Sequence, residues 1–169
     1  HARVYYKDIV DEYIGKVAID ETNPMVALNT AFLQDGVFIY VPENVVVSKP
    51  MQIVNIVNTD QDLLIQNRNL IIVEKNAQLK LVHCDDSLNF GTTFINNVTE
   101  IIVKQNAIAE YYKLENKDSQ STLVNSVYIC QHDNSSVTTN TVTFNAGLTR
   151  NTINVAIDGE HCEANVNGL

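Results

Sequence analysis

Tryptophan is missing from this 169-residue chain, and so are basic clusters, long apolar runs and an even set of cysteines. Each absence excludes something. Lys and Arg number 11 against 20 Asp and Glu, for a net charge of −9. Without a basic stripe to displace counterions from phosphates, nucleic acid is not an expected partner. The same deficit argues against anionic membrane surfaces. No segment approaches the roughly 20 apolar residues that cross a bilayer. The densest stretch, Val37 to Val47, is broken by Pro42, Glu43 and Asn44. Nothing reads as a signal peptide, and three dispersed cysteines, Cys84, Cys130 and Cys162, do not make a disulfide framework. These features point to the cytoplasm. The sequons at Asn97 and Asn134 carry no meaning there.

Hydrophobic residues make up 45% of the chain, enough to fill a core. Val, Ile and Thr suit pleated, half-buried surfaces, and Asn suits turns, so the chain reads as all-β. Its first 35 residues differ. Asn23-Pro24 is an N-cap followed by Pro at the first helical position. Met25, Leu28, Ala31 and Phe32 follow at helical spacing, which predicts a helix over Pro24 to Leu33. A second helix is expected within Tyr6 to Val17.

After Gly36 a repeat takes over. Leu70-Ile71-Ile72-Val73-Glu74-Lys75-Asn76-Ala77 recurs 30 residues later as Glu100-Ile101-Ile102-Val103-Lys104-Gln105-Asn106-Ala107. An earlier copy runs from Phe38 to Val45, with weaker ones at Ile129 to Val137 and Val155 to Val166. The aligned turn residues are Asn44, Asn76, Asn106, Asn134 and His161. A period of this size marks a solenoid, propeller or array. Each unit reads strand, short polar turn, strand, with no intervening amphipathic helix. The expected fold is therefore a right-handed parallel β-helix over residues 36–169, truncated at its C-terminal end and preceded by a helical segment over residues 1–35. Asn44, Asn76, Asn106 and Asn134 should stack along one edge. The start at His1 and the stop at Leu169 inside a patterned segment read as a fragment of a longer protein.

The repeat register also places the residues of metal chemistry. Cys84 takes the slot of Leu114; Cys130 that of Ile72, Ile102 and Ile157; Cys162 that of Val45, Ala77 and Ala107. All replace apolar residues, so the three thiols are expected to be buried and unligated. His83 takes the slot of Lys113, His132 that of Glu74 and Lys104, and His161 a turn slot, all read as exposed polar positions. Cys130 and His132 form a Cys-x-His pair, a weak metal candidate without further ligands. The acid pairs Asp85-Asp86 and Asp60/Asp62 read as solvated inter-unit loops, and Tyr111 as a core or edge filler. No nucleophile elbow, phosphate loop or zincin motif occurs. No catalytic or cofactor-binding residue is assigned.

The stretches Ala27-Leu28-Asn29-Thr30-Ala31-Phe32, Asp35 to Pro42, Gly147-Leu148-Thr149-Arg150-Asn151 and Ala156 to Leu169 resemble the SufB/SufD family, on its SufD side. The resemblance spans Tyr13 to Leu169. It implies a non-catalytic scaffold subunit for iron–sulfur cluster assembly. Such a subunit pairs with a SufB-type paralogue and binds a SufC-type ABC ATPase through a C-terminal helical domain missing here. The parent complex, not this fragment, would handle the clusters. The family's functional histidine lies in a Cys-x-His-Gly-Ala-Thr motif. Cys130-Gln131-His132 is followed by Asp133-Asn134 and is not that motif. The fragment alone could form a homodimer. The alternative is a β-helical polysaccharide-acting enzyme or adhesin, disfavoured by the dispersed polar residues of the outward slots, Glu74, Lys75, Lys104 and Gln105.

Overall fold

A computed structural model describes residues 2–19, 23–88 and 91–169. Three short helices come first: α1 (Ala2–Tyr5), α2 (Lys7–Tyr13) and α3 (Pro24–Ala31). Ten strands follow: β1 (Phe38–Val41), β2 (Met51–Val57), β3 (Leu63–Val73), β4 (Gln78–Ser87), β5 (Thr93–Val103), β6 (Ile108–Asn116), β7 (Ser121–Gln131), β8 (Ser136–Asn145), β9 (Leu148–Ile157) and β10 (Glu163–Gly168). Odd strands form one sheet in the order β1-β3-β5-β7-β9, and even strands form the other. Every pairing is parallel. The chain is thus a parallel β-helix of about five coils, as its repeat predicts. Among the described residues, no helix is long and apolar enough to cross a membrane.

The corner between each odd strand and the next even one is set by a left-handed residue. Asn44, Asn76, Asn106, Asn134 and His161 all have φ between 55° and 63°. That backbone costs an L-residue roughly 1–2 kcal/mol, and Asn bears it best. The side chains of the first three also stack. Asn76 Nδ2 donates to Asn44 Oδ1 at 2.8 Å, and Asn106 Nδ2 to Asn76 Oδ1 at 2.9 Å. Gly36 answers a different need. A Cβ there would sit 1.7 Å from the Arg68 carbonyl oxygen of the next coil.

Alternation along each strand sorts residues inside from outside. The inward row Ile39, Val41, Ile71, Val73, Ile101, Val103 and Ile129 builds the main core with Leu79, Leu81, Ala109 and Tyr111. Tyr111 is therefore the core filler expected. A smaller inner cluster of Val57, Ile95 and Leu123 lies apart from it.

The outer face of the odd sheet is covered by the N-terminal segment. Ile9, Tyr13, Ile14 and Val17 pack on Leu70, Ile72 and Ile102, while Val26 and Ala18 pack with Val98 and Tyr128. The cap read at Asn23 is formed, its side chain accepting from Met25 N at 3.1 Å. Beneath this segment lies a buried charge. Glu100 accepts backbone N–H bonds from Gly15 (2.8 Å), Val17 (3.1 Å) and Ala18 (3.0 Å). Arg68 Nε donates to it at 2.8 Å, and Arg68 Nη1 reaches Thr30 at 2.7 Å. Asn29, also buried, donates to the carbonyls of Asn67 and Asn96, both at 2.9 Å.

Candidate functional site

Between the two inner apolar clusters the β-helix carries a polar layer. On the even sheet, Leu79, Leu81, His83 and Asp85 share one parity, so the inward row turns from apolar to ionic within a single strand. The next coil repeats this with Ala109, Tyr111, Lys113 and Glu115. Facing them on the odd sheet, Asn67, Asn97, Asn125 and Asn151 occupy one slot in four successive coils.

These groups bind one another. Asp85 contacts Lys113 Nζ directly and accepts from Asn55 at 2.9 Å and Asn97 at 3.1 Å. Asn97 donates to Asn125 at 3.0 Å, and Asn125 to Asn151 at 3.1 Å. Glu115 accepts from Asn125, from Thr143 at 2.7 Å and from Asn151 at 2.9 Å. The Asn55 amide lies 2.8 Å from His83 Nε2 and can only donate, which puts the ring proton on Nδ1, 2.8 Å from the Tyr111 hydroxyl.

Electrostatics follow from burial. Burial would raise the Asp85 carboxyl, but the Lys113 charge beside it outweighs that effect and holds the carboxyl far below the usual carboxylate range. Burial, then the Lys113 charge, holds His83 below its ordinary value despite Asp85 at 3.6 Å, so the ring stays neutral. Both folded pKa values are depressed, so in acid the unfolded chain takes up these protons first. Stability is full above about pH 6.5, falls below it through His83, and falls further below about pH 3.9 through Asp85. Each proton contributes up to about 1.4 kcal/mol per pH unit. Urea midpoints across this range will show the decline, and His83→Gln will remove its upper limb. An upper limb unchanged in that variant would refute the assignment.

Several expectations from the sequence are corrected here. His83 and Lys113 are not exposed polar positions but interior ones, 1% and 2% accessible. Asp85-Asp86 is not a loop pair: both lie on β4, with Asp85 buried. Asp60 and Asp62 do sit in the exposed loop between β2 and β3. The three cysteines are half-buried, not buried. Cys84 and Cys130 point outward, where an apolar slot does not guarantee cover. Ile72 and Ile102 are sheltered by the N-terminal segment, but Cys130, one coil further, is only partly covered. Cys130 also pairs with Ala156, not Ile157, which is one residue out of register. His161 is at the exposed turn, and His132 is half-buried just beyond β7. The Cys130–His132 pair gains a neighbour invisible in the sequence, Asp158, whose carboxylate lies 3.8 Å from His132 Nδ1. Burial, then the Asp158 charge, pushes the Cys130 thiol up.

The inner carboxylates are occupied by Lys113, by asparagines and by Thr143, so fold and site define a parallel β-solenoid with a self-paired polar interior. Residues 1–53 match the SufBD protein N-terminal region, and residues 55–169 match the SUF system FeS cluster assembly, SufBD core domain. The chain belongs to the SufB/SufD family. It is 32% identical over 120 residues to the iron–sulfur cluster assembly protein SufD of Bacillus subtilis, covering 69% of this chain and 27% of that protein. It is 31% identical over 129 residues to SufB of the same organism, covering 75% and 28%. A SufBD family protein of Staphylococcus haemolyticus is 31% identical over 111 residues, covering 65% and 24%. The chain therefore spans about a quarter of the length of these relatives.

Proposed function

We propose that this chain is a non-catalytic scaffold portion of a cytoplasmic SUF-type complex that assembles iron–sulfur clusters. It pairs there with a SufB-type paralogue, and a SufC-type ABC ATPase docks on helices outside residues 1–169. The cluster is the product of the whole complex and not a resident group of these coils. The observation that carries this reading is the core-domain match over residues 55–169, which coincides with the coils from β2 onward. Two further features support it. The buried charges of the interior are occupied with one another. The near-equal identity to a SufD and a SufB supports pairing with a paralogue of related sequence.

Affinity capture tests the reading. The tagged chain should retain the SufB-type paralogue, or form a homodimer in its absence, but not the SufC-type ATPase, which only the full-length parent should hold. Retention of the ATPase by the 169-residue chain would move its docking site onto the β-helix. Failure of the full-length protein to hold the paralogue would sink the proposed pairing.

A further inference from the structure

Cys130 and His132 are two residues apart on the outer face at the end of β7. Asp158 follows β9 at the equivalent position of the next coil. Its N–H donates to the Gln131 carbonyl at 2.7 Å, while His132 N–H donates to Val103 at 2.9 Å in the preceding coil. Parallel coils stack about 4.8 Å apart, which sets the Asp158 carboxylate beside the imidazole. One donor atom from each of Cys130, His132 and Asp158 lies within 4.8 Å of the other two.

We propose that these three side chains bind one divalent transition-metal ion of borderline softness, of the zinc or ferrous type, with solvent in the fourth position. Bonds of about 2.0–2.3 Å in a tetrahedral site separate donor atoms by about 3.3–3.8 Å. The His132–Asp158 spacing of 3.8 Å is within about 0.5 Å of what a nitrogen–oxygen pair needs. The remaining separations need to close by only about 1 Å, within reach of side-chain rotation. The donor set of sulfur, imidazole nitrogen and carboxylate oxygen selects such ions over Mg or Ca, which prefer oxygen alone. The frame is held in place, because the Cys162 thiol donates to the His132 carbonyl at 3.3 Å. Lys104, the residue stacked on His132 in the preceding coil, has its ammonium over the Tyr13 ring, 4.7 Å from the centroid. The Asp158 side chain is 78% accessible and that of His132 29%, so the open position faces water and the ion can exchange.

The proposal is independent of the role in cluster assembly, and its failure would leave that reading intact. Cobalt(II) is the probe, titrated into the reduced, folded 169-residue chain and displaced with zinc. Saturable one-to-one binding with a sulfur-to-cobalt charge-transfer band is expected. Cys130→Ser should abolish the band, and His132→Ala and Asp158→Asn should each weaken binding by at least about tenfold. Cys84→Ser should leave both unchanged, with circular dichroism confirming that each variant folds. A band that survives Cys130→Ser, or binding equal in the wild type and in His132→Ala, overturns the site, as does the lack of saturable binding.

Discussion

Lys113→Met will destabilise the folded chain by about 3–5 kcal/mol at neutral pH, a large part of the 5–15 kcal/mol typical of a domain. The lysine is 2% accessible and contacts Asp85 inside the coil, with Glu115 two residues along the same strand. Methionine fills the space but leaves the Asp85 carboxylate in a desolvated interior without the cation it contacts. Asp85 must then either stay charged at high cost or take up a proton. Its folded pKa will rise above its unfolded value, so the sign of its linkage reverses. In this variant the Asp85 contribution will improve as pH falls through that raised value toward about 3.9, whereas in the parent chain it is level there and declines only below about 3.9. Lys113→Met combined with Asp85→Leu will recover much of the loss, because a buried ion pair is often no more stable than an apolar pair of similar volume. Urea denaturation of the three chains decides the matter. A single-variant loss under about 1 kcal/mol would mean that water reaches the layer and screens it.

Glu100→Ala will release the N-terminal segment from the odd sheet, again at about 3–5 kcal/mol. Glu100 is fully buried and receives three backbone N–H groups from residues 15–18 together with the Arg68 guanidinium. Its loss strands a buried cation and three donors at once. The apolar contacts of Ile9, Tyr13, Ile14 and Val17 remain, but they must then bury unsatisfied polar groups beside them. Amide exchange will show where the energy goes. Residues 2–19 should lose protection while β3, β5 and β7 keep theirs. Arg68→Met added to Glu100→Leu should restore sheet stability without restoring protection at Gly15, Val17 and Ala18, since no acceptor returns for them. Unchanged exchange over residues 2–19 in Glu100→Ala would show that apolar packing alone holds the segment.

Both variants bear on the assembly reading through the sheets. Buried ionic layers fix register, because a one-residue slip would turn Asp85, Lys113 and Glu115 outward and drive Leu114 and Cys84 in. Register in turn sets which side chains each sheet presents on its outer face.

The coil repeat was legible in the sequence because its corners need residues that tolerate left-handed backbone, and Asn recurring every 28–32 positions satisfies that need locally. The α3 cap was legible for the same kind of reason, since Asn23 and Pro24 act on their own helix. The slots of His83, Cys84 and Cys162 followed correctly from the repeat. Their inside or outside facing did not, although the parity of Leu79, Leu81, His83 and Asp85 carried the signal for the ionic layer. Other features required the tertiary structure. Arg68 and Glu100 look like ordinary surface charges until the N-terminal segment folds over them. Ile102 is buried and Cys130 half-buried in one slot because that cover shelters the first more fully than the second. Asp158 joins Cys130 and His132 only through the stacking of one coil on the next. Turn conformation is a local property of a few residues, whereas burial and ligand geometry depend on what the neighbouring coil and the covering segment place beside them.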